Sequence, residues 1–341
     1  MEVFMKRIIS LLVVLLVAVG MVMGQTKYTV SAYASCDETL AKALFDQFMK
    51  ENPDITVNWV RLSGGEAITR MDAEKANPQA SLWLGGVGLD HITAKTKDLT
   101  TPYQSKYAAN TPLEFRDPQY YWIGLYVGPL TFVTNLDRAK ALNLTPPTSW
   151  ADLIKPEYKG YIRMPNPNTS GTAYNILTTL NTLYGRDENK LFDYLKKLDA
   201  NIDSYPNVGA APGQSVATGE IPIAIGYAHD QVKLKAGGAN TVITAPSEGT
   251  GYEVDGLSLI KGGKQPIQAR QLYDWIISSP NAQDIFISYY VVLVQKGAKK
   301  HPLALPLDSI KTVAQDLVYD GDKTTRDRLL NRWNAEIGSK R

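Results

Sequence analysis

This sequence predicts an α/β fold built as two lobes, each a mainly parallel sheet flanked by helices. Three observations point there. Short apolar strands alternate with helical segments along most of the chain. The 341 residues exceed what one hydrophobic core usually organises. A long extended run in the middle, Trp122 to Asn135, is interrupted by Gly128-Pro129 and has the length to leave one lobe and enter another.

Taken in order, Tyr28 to Ala34 reads as a strand, and Asp37 to Glu51 places Leu40, Leu44 and Phe48 at helical spacing before Asn52-Pro53 stops it. Ile55 to Arg61 is a second strand. Glu66 to Ala76 is a second helix after Ser63-Gly64-Gly65, and Ser81 to Leu84 is a third strand running into Gly85-Gly86. This βαβαβ order predicts parallel pairing with ligand loops at the carboxyl ends of the strands. The first crossing between lobes falls near 126–134. A second α/β unit follows: a short helix from Trp150, a strand from Tyr161 to Met164, and a helix from Ser170-Gly171-Thr172 to Tyr184. The helix Asp187 to Leu198 and the strand Ile221 to Tyr227 complete that unit. Gly251 to Ile260 is strand-like and returns the chain near 250–257, after which Pro266 to Ser278 and Asn281 to Tyr290 are helical. The resulting division is 25–130 with 252–341 for the first lobe and 131–251 for the second.

The start of the chain locates the protein. Lys6 and Arg7 lead into an apolar run from Ile8 to Met23, with small side chains near Gly24, which is the pattern of a secretory leader (1–24) cleaved after Gly24. An uncleaved anchor is the alternative, disfavoured because the run is short for a bilayer and polar sequence follows at once. Without Glu2, Lys6 and Arg7 the chain holds 36 − 2 = 34 basic against 34 − 1 = 33 acidic residues. With no clustered basic run, nucleic acid is excluded as a partner. The lone Cys36 forms no intramolecular disulfide.

One family resemblance covers essentially the whole mature chain. The segment Pro147-Thr148-Ser149-Trp150-Ala151-Asp152-Leu153, continuing through Lys155-Pro156-Glu157-Tyr158-Lys159-Gly160, resembles extracellular solute-binding proteins of bacterial ABC importers. So do Met164-Pro165-Asn166-Pro167 with Thr169-Ser170-Gly171-Thr172, Gly219-Glu220-Ile221-Pro222, Tyr227-Ala228-His229-Asp230 and Glu248-Gly249-Thr250-Gly251-Tyr252-Glu253. The similarity is to the ferric-iron-type branch, which also holds phosphorylated-sugar and phosphonate binders. It implies a type II periplasmic-binding fold that closes on a small solute and delivers it to an inner-membrane ABC permease, working as a periplasmic monomer without a cofactor.

Within that branch, the ferric site implied by the resemblance is largely missing. Ser35-Cys36-Asp37 stands where a His is expected, Gly85-Gly86 where a Glu is expected, and Tyr227 is followed by Ala228 where a second Tyr is expected. An oxyanion site is better supplied. The turns Ser35-Cys36-Asp37, Ser63-Gly64-Gly65 and Thr169-Ser170-Gly171-Thr172 each precede a helix, where unpaired N–H groups carry partial positive charge. Any one Ser or Thr there is equally read as an N-cap. The glycine pairs 64–65 and 85–86 allow close backbone approach, or simply make turns.

His229 and Asp230 follow the strand of the second lobe and project into the cleft. The His can donate to a phosphate oxygen and the Asp can accept from hydroxyls or an amine; a structural hydrogen bond is the competing role for His229. Glu253, at the return crossing, either accepts from ligand hydroxyls or braces the hinge. His91 and His301 form no metal set with His229. No nucleophile elbow or metal-hydrolase cluster accompanies these groups, so a non-enzyme is expected. The sequence thus points to a transport receptor for a small anionic solute, a sugar phosphate or phosphonate being preferred. Ferric iron is the alternative ligand, and a sensory binding protein for a membrane receptor is the alternative of another class.

Overall fold

The computed structural model describes residues 27–338. The secretory leader read at 1–24 lies outside them. Strand β1 (Tyr28–Ala34), helix α1 (Glu38–Glu51), β2 (Ile55–Arg61), α2 (Gly64–Ala73), β3 (Leu82–Val87) and α3 (Gly88–Thr96) form the opening unit. β1 pairs in parallel with β2 on one side and β3 on the other, so all three strands point their carboxyl ends the same way. α1 starts because the Asp37 carboxylate accepts the N–H groups of Thr39 (2.8 Å) and Leu40 (3.0 Å). Its Leu40, Leu44 and Phe48 are fully buried. Burying each such side chain contributes roughly 1.5–3 kcal/mol, and Phe48→Ala would cost about 3–5 kcal/mol.

After the short β4 (Thr100–Thr101) comes β5 (Ile123–Asn135), buried along its whole length. It changes partners midway. Ile123 to Pro129 pair antiparallel with β9, whereas Leu130 to Asn135 pair with β7 and β8. The switch falls at Pro129, which cannot donate to a ladder.

The second unit contains α4 (Leu136–Ala141), β6 (Ile162–Arg163), α5 (Gly171–Leu183), α6 (Glu188–Asp199), α7 (Ala211–Ala217), β7 (Ile223–Tyr227), α8 (Ala228–Ala236) and β8 (Thr241–Thr244). β9 (Tyr252–Ile260) returns the chain, and α9 (Pro266–Ser278), α10 (Pro280–Ser288) and β10 (Val292–Leu293) complete the first lobe's far side. The strand path is β2-β1-β3-β9-β5-β7-β6. Parallel pairing is confined to its two flanks, β2-β1-β3 and β7-β6, while β5 and β9 run antiparallel to their neighbours because they carry the chain between lobes.

Two departures from the sequence reading have physical causes. The short helix expected from Trp150 is a pair of single 3-10 turns, Asp152–Ile154 and Pro156–Tyr158, since Pro156 removes the N–H an α-helix would need. The chain also ends in two helices not read from sequence, α11 (Leu317–Gly321) and α12 (Lys323–Glu336). Leu329 and Trp333 of α12, with Ile337 just beyond it, pack in one core with Phe132, Leu177, Phe192 and Ile225 of the second lobe and with Val87 and Leu89 of the first, so this end of the segment 252–341 is set against the second lobe while also touching the start of α3. α12 is rich in charged residues, and its apolar stripe is too narrow to advertise that docking.

Candidate functional site

The carboxyl ends of β1, β2 and β3 face the starts of α5 and α8, and between them lies a cavity of about 520 Å³, open solvent at its mouth included. The first lobe lines it with Ser35, Cys36, Ser63, Gly64 and Gly86. The second contributes Ser170, Gly171, Thr172, His229 and Asp230, and Glu253 enters from β9. The three turns singled out in the sequence therefore meet at one place, and His229 and Asp230 stand in the first turn of α8 immediately after β7.

Gly65, Gly85 and Thr169 do not line this cavity. The Gly65 N–H is already engaged, donating across the cleft to the Thr169 carbonyl at 3.0 Å. The Thr169 hydroxyl in turn donates to the Asn207 carbonyl at 3.0 Å. Gly85 and Gly86 adopt φ of +79° and +89°, and a Cβ on Gly85 would stand 2.5 Å from the backbone nitrogen of Cys36. Their first requirement is thus turn geometry and a close strand-end approach. The Gly85 carbonyl lies 3.0 Å from His91 Nε2, and His91 Nδ1 lies 2.7 Å from the Ser258 hydroxyl. Burial drives the His91 pKa down to about 3, so this ring is a neutral core group stacked on Trp83.

Gly64, Gly171 and Thr172 occupy first turns, whose N–H groups have no intrahelical acceptor. At the first of these starts, the Ser63 N–H donates to Glu66 at 2.8 Å, and the Ser63 hydroxyl donates to the Asn207 carbonyl of the opposite lobe at 3.1 Å. Arg61, the last residue of β2, donates to that same hydroxyl oxygen at 3.0 Å and lines the cavity. The sequence reading missed this cation. A basic residue at a strand's carboxyl end, two positions before a helix-start turn, was the available signal.

The other wall is acidic, and here too the sequence reading was incomplete. Beside Asp230 and Glu253 stand Asp37, Asp90 and Asp255, with Tyr126 and Tyr227. Glu253 and Asp255 alternate on β9 and so share a face. Asp255 accepts from the Gly86 N–H at 3.1 Å. His229 Nε2 lies 3.4 Å from Glu253 and 3.7 Å from Asp230. Its ring is parallel to Tyr227 and edge-on to Tyr126.

Burial raises the pKa of Asp230, and raises those of Glu253 and Asp255 far above the carboxylate range, reinforced for Glu253 by the charge of Asp255. Burial lowers that of His229. Glu253 Oε1, Asp255 Oδ1 and His229 Nδ1 have no hydrogen-bond partner among the described residues. These are open valences on residues that line the cavity; a carboxyl group held neutral by burial both donates and accepts, as does a neutral imidazole, so together they suit hydroxyl groups. Asp37 differs: burial raises its pKa, but bonds from Lys233 (2.7 Å) and Thr39 outweigh it and hold the carboxyl below its ordinary range.

Cys36 is buried, and its thiol pKa is pushed well up by that burial, so it serves as wall and not as a reactive group. Among the described residues no group of three or more His, Cys, Asp or Glu side chains is arranged to hold a metal ion, and no helix is long and apolar enough to cross a membrane.

A two-lobed α/β fold with an interlobe cavity of this kind defines a binding protein that works by enclosing a solute. The sequence profile of the bacterial extracellular solute-binding proteins matches residues 92–304, and the chain belongs to that family. It is 31% identical over 307 residues to an uncharacterised protein of Haemophilus influenzae, covering 88% of this chain and 87% of that one. It is 27% identical over 266 residues to a putative 2-aminoethylphosphonate-binding periplasmic protein of Salmonella typhimurium, covering 74% and 73%. Among solved structures it resembles the periplasmic binding protein AfuA of Actinobacillus pleuropneumoniae, in a complex with fructose-6-phosphate, at a TM-score of 0.88 and 31% identity, covering 92% of this chain and 99% of that one. The apo ferric ion-binding protein A of Pasteurella haemolytica shares the fold at 22% identity and a TM-score of 0.73, covering 90% and 97%.

Proposed function

We propose that this protein is the periplasmic receptor of an ABC importer and captures a small phosphorylated or phosphonate-bearing organic anion that carries hydroxyl groups. One observation carries the reading: a single cavity joins the helix starts at Gly64 and at Gly171-Thr172, with Arg61, to buried carboxyl oxygens that have no hydrogen-bond partner among the described residues. The turns suit the anion, because first-turn N–H groups and the helix dipole favour negative charge. The carboxylates and His229 suit the tail, because they accept from or donate to hydroxyls. AfuA, bound to a sugar phosphate, supports the same ligand class.

In this reading the leader is removed after Gly24 and the mature chain is delivered to the periplasm. One lobe is built mainly from 25–130 and the strands and helices after 252, the other from 131–251 with α12 packed on it. The crossings at Pro129–Leu130 and Thr250–Tyr252 act as hinges. Ligand favours closure by touching both lobes, and the closed form is what the permease receives. Recognition needs no cofactor and no catalytic step. Against the ferric reading, the sequence has Ser35-Cys36-Asp37, Gly85-Gly86 and Tyr227-Ala228 where a His, a Glu and a tyrosine pair are expected of a ferric site.

Thermal unfolding of the mature protein tests the proposal. A ligand that binds only the folded form, at a hundredfold over its dissociation constant, adds about 2.7 kcal/mol. Sugar phosphates or alkylphosphonates are expected to raise Tm by several degrees and ferric citrate to leave it unchanged. Stabilisation by ferric salt with a visible tyrosinate charge-transfer band, and none by phosphorylated ligands, would overturn it.

A further inference from the structure

Asp90, on α3, is completely buried and yet faces the cavity. Its Oδ1 is held by Arg326 of α12, while its Oδ2 has no hydrogen-bond partner among the described residues. That free oxygen sits between the first residues of two helices from opposite lobes. A Cβ placed on Gly64 would stand 1.8 Å from it, and one on Gly171 would stand 2.2 Å away. Only glycine at both helix starts leaves room for it.

An unpaired carboxylate oxygen beside two anion turns has a chemical consequence. A fully ionised tetrahedral anion held on those N–H groups would meet Asp90 as a like charge at short range in a dry site. The conflict vanishes if one proton lies between the two oxygens. A phosphate monoester or phosphonate can bring that proton, since its second ionisation falls near a pKa of about 6. A sulfate ester is fully ionised and has none to share. Of the groups near Asp90, the Arg326 guanidinium is engaged with Oδ1 through Nη1, and Glu253, whose pKa is raised far above the carboxylate range by burial and further by neighbouring carboxylates including Asp90, is held neutral.

Resting on the phosphorylated-ligand reading, we propose that Asp90 is the specificity-determining residue of the site, its Oδ2 accepting a hydrogen bond from a protonated phosphoryl oxygen and so selecting phosphate monoesters and phosphonates over sulfate esters. Arg326 is then a positioning residue that aims the carboxylate by fixing its other oxygen. Asp90 discriminates by penalty as much as by attraction, because an anion without a proton leaves its oxygen unpaired and repelled.

Calorimetric titration of the mature protein and of Asp90→Asn with fructose 6-phosphate and fructose 6-sulfate tests this. The wild type is expected to bind the phosphate at least about 100-fold more tightly than the sulfate, the scale of one charged hydrogen bond lost and left unsatisfied. Asp90→Asn, whose amide can donate to either anion, is expected to narrow the ratio to less than about tenfold, mainly through a gain for the sulfate. Asp90→Ser is the second variant should the amide not fold, with the same narrowing expected. A wild-type preference below tenfold, or a ratio unchanged in the folded variants, overturns the assignment of Asp90 alone. Failure of the wild type to bind fructose 6-phosphate or any other phosphorylated probe overturns the ligand class itself, and this assignment with it.

Discussion

The backbone N–H of Gly65 donates to the backbone carbonyl of Thr169 across the cleft at 3.0 Å, tying the two lobes together through main chain alone. The contact spans the cleft, and it needs a residue without a side chain. A Cβ on Gly65 would stand 2.6 Å from the Asn168 carbonyl oxygen and 3.0 Å from that of Thr169.

Gly65→Ala therefore acts as a wedge. It is expected to weaken ligand binding by about tenfold or more, a loss of at least ~1.4 kcal/mol in the closed form, while the apo protein keeps its Tm within about 2 °C. Because the wedge opposes closure and does not touch the anion, phosphorylated and dephosphorylated ligands should lose affinity in equal proportion. Titration of both by calorimetry checks this; a loss confined to the phosphorylated ligand would place the anion directly on Gly65.

Lys233 of α8 reaches Asp37 of the opposite lobe at 2.7 Å, with its side chain about a third exposed. A half-exposed pair is worth about 0.2–1 kcal/mol, so Lys233→Ala should weaken binding less than about fivefold. The effect is expected to shrink as salt is raised, because screening weakens the pair in the wild type as well. Stopped-flow binding at low and high salt reads it out. A loss beyond tenfold would mean that Lys233 contacts the ligand.

Asp320 on α11 is fully buried with neither carboxyl oxygen hydrogen-bonded among the described residues, and burial raises its pKa to about 6. Its folded pKa lies above the unfolded value of about 3.9, so the folded protein binds more protons between these limits. Stability attributable to this group is greatest below about pH 4 and is lost as pH rises to about 6. Asp320→Asn is thus expected to raise Tm by a few degrees at pH 7.5 and to change little at pH 4. Thermal melts at the two pH values check the sign, and a variant less stable at pH 7.5 contradicts it.

What could be read from the sequence followed what is local in the chain. The strands Tyr28–Ala34 and Ile55–Arg61 and the helix Pro266–Ser278 were legible because their periodicity and stop signals lie within a few residues. The crossing at Pro129 was legible because the extended run from Trp122 to Asn135 is too long for one short strand and is interrupted by Gly128-Pro129 midway. Ser63, Ser170, His229 and Glu253 share one cavity because turns at strand ends converge in this architecture.

Asp90 and Asp255 were not legible. Asp90 sits inside a helix and Asp255 inside a strand, where a polar residue reads as solvated surface until packing shows it buried. The docking of α12 depends on Leu329, Trp333 and Ile337 meeting side chains more than a hundred residues away, which no local pattern encodes. That Gly65 spends its N–H on the other lobe likewise becomes visible only in the folded chain.

The central claim is that a phosphoryl group is what the cleft recognises and the hydroxylated tail is secondary. Calorimetric titration of the mature protein with fructose 6-phosphate and with fructose, at one pH and salt concentration, tests it most directly. The account predicts saturable binding of the phosphate ester with fructose at least about 100-fold weaker, since the tail alone leaves the first-turn N–H groups of Gly64, Gly171 and Thr172 without their anion. Fructose bound as tightly as its phosphate would contradict it, because these helix starts and Arg61 would then contribute nothing to recognition.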